Sequence, residues 1–280
     1  MKRIVLLPNV QRDAGLACTL RAKAMLEEAG HGVVISPVYG SVPGVPEMPL
    51  SEALEGAELL VTLGGDGTIL HLAPLVMAKR VPLVGVNLGH KGFLTELDEG
   101  SIDRLLDAAE GRFELVPRMM LDVEILRGGR KIFSDTALNE ALISGIVQNV
   151  RLTALGDGER ILTFSGDGII VSSPTGSTAY SMSAGGPLVE PSAENIILTP
   201  ICAHMLAARS FVLTSERVVE VCPQELEDKR CILSVDGRGM TDLQNGDCVV
   251  VRKSEHKLLL AHLGTKSFYE TAFEKLGERE

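Results

Sequence analysis

The 280-residue chain carries no excess of positive charge, no long apolar run and no closely spaced cysteine pair. Its 27 lysines and arginines face 37 aspartates and glutamates, a formal net charge of -10. General binders of nucleic acid or anionic membranes release counterions from a basic face, and this balance argues against both. Phosphorylated ligands stay open, because backbone amides and a few local cations can hold them. No segment approaches the length of about 18 consecutive apolar residues that a membrane span needs. The five cysteines (Cys18, Cys202, Cys222, Cys231, Cys248) lie far apart without a CxxC. Their odd number and spacing favour reduced, buried thiols over disulfides or a zinc site. The opening "MKRIVLLPNV" lacks a signal peptide's long apolar region and cleavage site and reads as a first strand. A cytoplasmic protein is expected.

Two nucleotide motifs are also missing. The chain has no Gly-Lys pair, so no Walker loop, and Leu70 stands where a Rossmann fingerprint needs its third glycine. No repeat of fixed solenoid period occurs. What remains is ordinary for a globular protein, 45% hydrophobic and 23% charged, and long enough for one large domain or two modest ones.

The first third alternates short apolar strands with helices. Strands are expected at Arg3 to Leu7, Val33 to Ile35, Glu58 to Leu63 and within "VPLVGVNL", and helices at Asp13 to Ala29 and Thr68 to Met77. That alternation is the mark of a parallel sheet with helices on both faces. A proline-rich stretch, residues 36–51, reads as a surface loop. From about Leu115 strand-like runs separated by turn residues take over, which describes a β-rich, sandwich-like domain. The expected fold is an α/β N-terminal domain over residues 1–115 and a β-rich C-terminal domain over 116–264, with the active site in the cleft between them. The helical tail 265–280 is expected to pack back on the first domain.

"LLVTLGGDGTIL" (Leu59 to Leu70) places a carboxylate among three glycines where a strand gives way to a helix. The free N–H groups of a first helical turn favour a phosphate, and Gly64, Gly65 and Gly67 let the backbone come close to it, with Thr68 following. Asp66 is then either a base that takes a proton from an attacking hydroxyl, a holder of the metal that accompanies a nucleotide, or a cap for the helix. The residues alone leave these open. "NLGHKGFLTEL" (Asn87 to Leu97) follows the next strand, and its simplest reading is a strand and loop with Phe93 in the core. Asn139 and Glu140 place an amide beside a carboxylate, a pair suited to the vicinal hydroxyls of a ribose. In "SGDGIIVSSPTGSTAYSMSAGGP" (Ser165 to Pro187), small hydroxyl residues and Gly176 leave room for a flat ring, and Tyr180 offers an aromatic face.

Together these stretches resemble the NAD kinases. GGDGT resembles the motif they share with diacylglycerol and sphingosine kinases. The NLGHKGFLTEL, Asn139-Glu140 and DGIIVSSPTGSTAY runs resemble NAD-kinase signatures, as does "SVDGR" (Ser234 to Arg238). The resemblance extends over nearly the whole chain. It implies phosphoryl transfer from ATP or polyphosphate to the adenosine-ribose 2′-hydroxyl of NAD, with Asp66 as base. It implies an NAD site lined by Phe93, Asn139, Glu140, Asp167, Ser173, Thr175, Thr178, Ala179, Tyr180 and Ser183, with Lys91, Cys202 and His204 as further candidates. Lys91 stands where relatives usually carry an apolar residue, and Ser165 where many carry an arginine. No residues have metal-ligand spacing, so no dedicated metal site is expected and Mg²⁺ should arrive with the phosphates. The resemblance also implies a homodimer or homotetramer built through the β-rich domain. Two rivals are a lipid or small-alcohol kinase on the same motif, which has no reason to carry the Pro-Thr-Gly-Ser-Thr-Ala-Tyr run, and a non-catalytic dinucleotide-binding regulator, which gains nothing from a negative charge beside phosphate.

Overall fold

The computed structural model describes residues 1–41, 44–89, 92–205, 208–265 and 267–277. The chain forms two compact units, Met1–Pro117 with Leu258–Glu280, and Arg118–Lys257.

In the first unit the order is β1 (Arg3–Pro8), α1 (Ala17–Glu28), β2 (Gly32–Ile35), α2 (Leu50–Ala53), β3 (Leu59–Gly64), α3 (Asp66–Val76), β4 (Leu83–Asn87), β5 (Leu97–Asp98) and α4 (Leu105–Ala109). The four longer strands pair in the order β4-β3-β1-β2, all parallel. Ile4 to Leu7 of β1 have no exposed surface, and every residue of β3 is buried. Strands covered on both faces read as unbroken apolar runs, which is why these segments stand out in the sequence. Leu6, Leu26, Val61, Leu63, Val84 and Ile102 share one core. In the C-terminal segment Leu260 pairs with Leu83, and the helix Phe268–Gly277 lays Phe268 against Phe93.

The helix after the glycines begins at Asp66, two residues before the expected Thr68, with Gly65 as its extended N-cap. The proline-rich loop carries Tyr39, whose ring stacks on His71 of α3 at 4.9 Å.

The second unit is antiparallel, a sandwich of two sheets. Its strands are β6 (Glu114–Arg127), β7 (Arg130–Ala137), β8 (Glu140–Gly145), β9 (Val150–Gly156), β10 (Glu159–Gly166), β11 (Gly168–Ser172), β12 (Asn195–Ile201), β13 (Phe211–Thr214), β14 (Val219–Gln224), β15 (Cys231–Val235), β16 (Arg238–Leu243) and β17 (Asp247–His262), of which β6 and β17 also reach into the first unit. One sheet runs β13-β12-β11-β8-β15-β16, and the other contains the series β10-β9-β14-β17. Residues of both sheets (Ile143, Ile169, Leu198 and Leu233 with Leu152, Val221 and Val249) meet in a single core. A short helix, α5 (Tyr180–Ser183), follows β11 and a 3-10 turn at Thr175–Thr178.

The cysteines depart from expectation. Cys222 and Cys248 form a disulfide, while Cys18, Cys202 and Cys231 are free. The antiparallel register sets Val221 opposite Val249, which brings the next pair, Cys222 and Cys248, to a Cα–Cα distance of 4.3 Å. Spacing along the sequence cannot show that two residues 26 apart meet across a ladder. Cys202, expected buried, is exposed on a left-handed backbone with φ 46°. Among the described residues no helix is long and apolar enough to cross a membrane.

Candidate functional site

The chemistry-bearing residues fall into two groups, one in each unit. In the first unit the parallel strands β1, β3 and β4 end side by side at Pro8, Gly64 and Asn87. Ligands of open α/β sheets bind at this carboxyl edge. The Leu88 N–H donates to the Gly64 carbonyl at 2.6 Å, and the Asn9 N–H to the Leu63 carbonyl at 2.8 Å. Gly64 is a glycine for packing: a Cβ there would strike the Thr68 hydroxyl and press on Asn9. Gly67 differs. It lies outside the left-handed region, and a Cβ on it would meet no atom of the described residues within 4 Å. Thr68 is only 2% exposed, and its hydroxyl accepts from Asn9 Nδ2 at 3.3 Å. Its side chain fastens the corner and does not line it.

Asp66 is not a cap for its own helix. Its Oδ2 accepts the Phe93 N–H at 2.6 Å, and its Oδ1 accepts the Leu94 and Thr95 N–H groups, each at 3.2 Å, with the Thr95 hydroxyl at 3.4 Å. The carboxylate thus reaches across to the segment after β4 and is held in one orientation. A carboxylate oxygen takes about two donors, so among the described residues Oδ1, with three, is filled and Oδ2, with one, has room for another. Gly92 makes this contact possible, because a Cβ there would overlap the Asp66 carboxylate. Phe93 is half-buried, neither in the core nor free: its ring lies 6.4 Å from that of Phe268, and Lys275 Nζ sits 4.5 Å above it. Lys91 lies outside the described residues.

In the second unit Asp236 organises the other group. Its carboxylate accepts the N–H groups of Leu138 (2.7 Å), Asn139 (2.9 Å) and Glu140 (2.9 Å), and Arg238 donates to it at 3.2 Å. Burial raises the Asp236 carboxyl above its ordinary value against the pull of those donors. Glu140 opens β8 opposite Ser172, the last residue of β11. Burial, and after it the nearby Asp236 charge, pushes the Glu140 carboxyl up to about 8. Glu140 Oε2, Ser172 Oγ and Thr175 Oγ1 are all buried without a hydrogen-bond partner. Buried polar atoms are nearly always satisfied, so orphaned hydroxyls and a carboxylate oxygen at the register pair Glu140–Ser172 and at Thr175 three residues on stand out.

The turn that follows is held tightly. Ser173 donates through its hydroxyl to the Leu138 carbonyl at 2.5 Å and through its N–H to the Asn139 carbonyl at 2.8 Å. Gly176 packs so closely that a Cβ would overlap the Asn139 carbonyl oxygen. Ser173 is therefore a brace, as is Thr178, whose hydroxyl donates to the Thr175 carbonyl at 3.1 Å. Ala179 is partly exposed, and Tyr180 (44% exposed) and Ser183 are exposed on α5. Asp167, Cys202 and His204 form a further set. The Asp167 carboxylate, through hydrogen bonding and its charge, raises the exposed Cys202 thiol above its ordinary range. The His204 N–H donates to the Ser165 carbonyl at 2.8 Å, and its ring contacts Asn149 Nδ2 at 3.0 Å.

Sequence reasoning passed over Ser172 and Asp236. The second lies inside "SVDGR", a stretch already singled out, but only the fold shows that its carboxylate orients residues 96 to 98 positions earlier. Among the described residues, the one group of three metal-capable side chains is Glu220, Cys222 and Cys248, whose sulfurs are joined to each other. A hard cation such as Mg²⁺ wants oxygen ligands, and that set offers one carboxylate.

Residues 48–111 match the ATP-NAD kinase N-terminal domain family, and residues 138–263 the ATP-NAD kinase C-terminal domain family. The NAD kinase of Acetivibrio thermocellus is 36% identical over 100% of this chain and 98% of its own length. That of Natranaerobius thermophilus is 36% identical over 99% of this chain and 98% of its own. Among solved structures, yeast NADH kinase complexed with NADH superposes with a TM-score of 0.85 at 24% identity, covering 100% of this chain and 88% of that one. An NAD kinase from Archaeoglobus fulgidus in complex with ATP gives a TM-score of 0.77 at 24% identity, covering 99% and 100%. Likeness at that identity is a likeness of fold.

Proposed function

The chain belongs to the NAD kinase family and is a phosphotransferase acting on NAD, and from that premise we propose how its residues divide the work. The acceptor is the adenosine-ribose 2′-hydroxyl of NAD, and the donor is the terminal phosphoryl of ATP or polyphosphate. Asp66 takes the proton at Oδ2, the oxygen with room for another partner, as the hydroxyl oxygen attacks phosphorus and the bond from phosphorus to ADP, or to the shortened polyphosphate, breaks. The backbone of Gly65 to Gly67 at the start of α3 receives the donor phosphates, with Gly64 and Thr68 keeping that backbone in place. Mg²⁺ would be held by those phosphates and would supply neutralisation of their charge, leaving Asp66 to its role as base.

The single observation that carries the acceptor side is the set of orphaned atoms on Glu140, Ser172 and Thr175 beside Asn139. A ribose presents vicinal hydroxyls that each donate and accept, which matches such a set. Asn139 and Glu140 hold the ribose, Thr175 and Ser172 complete its contacts, and Ser173 and Thr178 brace the turn. Phe93, Ala179, Tyr180 and Ser183 line the rest of the dinucleotide, while Asp167, Cys202 and His204 meet its nicotinamide end. Because such transfer is positioning plus electrostatics, no nucleophilic side chain is required. The lipid-kinase and regulator readings are not favoured.

The reading extends to a cytoplasmic homodimer or homotetramer joined through the β-rich unit. Exposed Val212 on β13 and Met240 on β16, 52% and 70% exposed, stand on the two edge strands of one sheet and support it. Purified protein incubated with NAD, ATP and Mg²⁺ should form NADP. Binding of NAD without NADP formation would point instead to a regulator.

A further inference from the structure

Arg12 is an exposed cation beside the glycine corner. Its segment is pinned by Asn9, whose carbonyl accepts the Arg12 and Asp13 N–H groups, each at 2.9 Å, and whose side-chain oxygen accepts the Gln11 N–H at 3.0 Å. The same Asn9 donates to Thr68 within the GGDGT run. On the other side, a Cβ built on Gly89 would lie 3.4 Å from Arg12 Nη1. Gly89 is clasped by Asn87, which donates to its carbonyl and accepts its N–H, both at 3.2 Å, and Asn87 in turn faces Gly65. Arg12 is therefore linked through Gly89 and Asn87 to Gly65 at the start of α3, at the edge where β1, β3 and β4 end.

None of the described residues neutralises it. The neighbouring Asp13 turns its carboxylate to the first turn of α1, accepting the Cys18 N–H at 3.0 Å, the Thr19 N–H at 2.9 Å and the Thr19 hydroxyl at 2.6 Å. Asp66 is engaged by residues 93 to 95. Among the described residues the Arg12 guanidinium has neither an ion-pair nor a hydrogen-bond partner, in a chain of net charge -10. A planar guanidinium matches two oxygens of a phosphate at once, which a solvated surface arginine has no occasion to use.

We propose that Arg12 grips the phosphates of the phosphoryl donor at this corner. The assignment rests on the kinase reading above and adds a side-chain contact to a site otherwise made of backbone. It concerns the donor alone and leaves NAD binding untouched.

The test is steady-state NADP formation by the full chain, varying ATP at saturating NAD and then the reverse. Arg12→Ala should raise the KM for ATP about tenfold or more, the loss expected for a charge-assisted hydrogen bond, with KM for NAD and Tm unchanged. Arg12→Lys keeps the charge without the fork and should fall between. An unchanged KM for ATP, or an equal rise in the KM for NAD, overturns the assignment. Calorimetric binding of ATP with Mg²⁺ needs no turnover. If the wild type makes no NADP, the kinase reading fails; weaker ATP binding by Arg12→Ala would still support the contact, and unchanged binding would overturn it.

Discussion

Gly92→Ala is the substitution on which the geometry around Asp66 bears hardest. The residue does not occupy left-handed backbone, so the effect is steric and not conformational. The new methyl would overlap the Asp66 carboxylate, and one of the two has to give way. If the carboxylate retreats, the bonds at 2.6, 3.2 and 3.2 Å from residues 93 to 95 lengthen together. Losing one such charged hydrogen bond costs about 2 kcal/mol. In a chain of 280 residues that is a fall in Tm of roughly 3–4 °C. Catalysis suffers more, since a misplacement of about 1 Å costs on the order of a hundredfold in rate. The variant should therefore lose about two orders of magnitude in kcat while its affinity for NAD, whose ribose contacts are proposed at Asn139 and Glu140, stays as before. Steady-state kinetics with thermal melts decide the matter. A Gly92→Ala enzyme with near-wild-type kcat would refute the claim that the placement of Asp66 by residues 93 to 95 matters. Gly67→Ala is the companion variant: with no atom of the described residues within 4 Å of its Cβ and helical backbone around it, it should melt at or slightly above the wild type yet show a raised KM for ATP.

Glu140 ties stability to pH. Its carboxyl is raised to about 8 in the folded chain, so between the ordinary glutamate range and about 8 the native state keeps a proton that the unfolded chain has released. Stability falls as pH rises through that window, and the loss is complete above it; Glu140→Gln should flatten the corresponding part of the Tm–pH curve, and superimposable curves would contradict the burial of that group. The disulfide joins residues 26 apart in sequence, a closure worth about 3.5 kcal/mol by loop entropy. Reducing agent should lower the Tm of the wild type and leave Cys222→Ser unaffected, with intact-mass analysis counting the free thiols. Phe268→Ala removes the aromatic partner of Phe93, a contact of about 1 kcal/mol, and should lower kcat several-fold through the looser Phe93 N–H donor to Asp66.

How legible each feature was depends on whether its partners are near in sequence. The strands β1 and β3 announce themselves because burial on both faces demands an unbroken apolar run. The start of α3 was placed two residues late, because glycines and an aspartate carry no helical periodicity even when Asp66 already has helical backbone. Asp66 was visible as a residue with work to do, but its capping alternative fell only when the fold showed its acceptors filled from residues 27 to 29 positions away. Thr68, Ser173 and Thr178 were legible as members of motifs, though their hydroxyls turn inward as braces. The opposite happened at Ser172, an unremarked strand residue whose orphaned hydroxyl lies across from Glu140. The Cys222–Cys248 pair depends wholly on register, which cysteine counting cannot supply.

The central claim is that Asp66 Oδ2 takes the proton from the acceptor hydroxyl, and Asp66→Asn tests it most directly. The substitution keeps the size of the side chain and removes its capacity as a base. Pre-steady-state NADP formation and calorimetric NAD binding on the same preparation should show kcat reduced by at least about a hundredfold with NAD affinity unchanged. An Asp66→Asn protein that turns over at the wild-type rate, or one that loses rate only because it no longer binds NAD, would contradict the account.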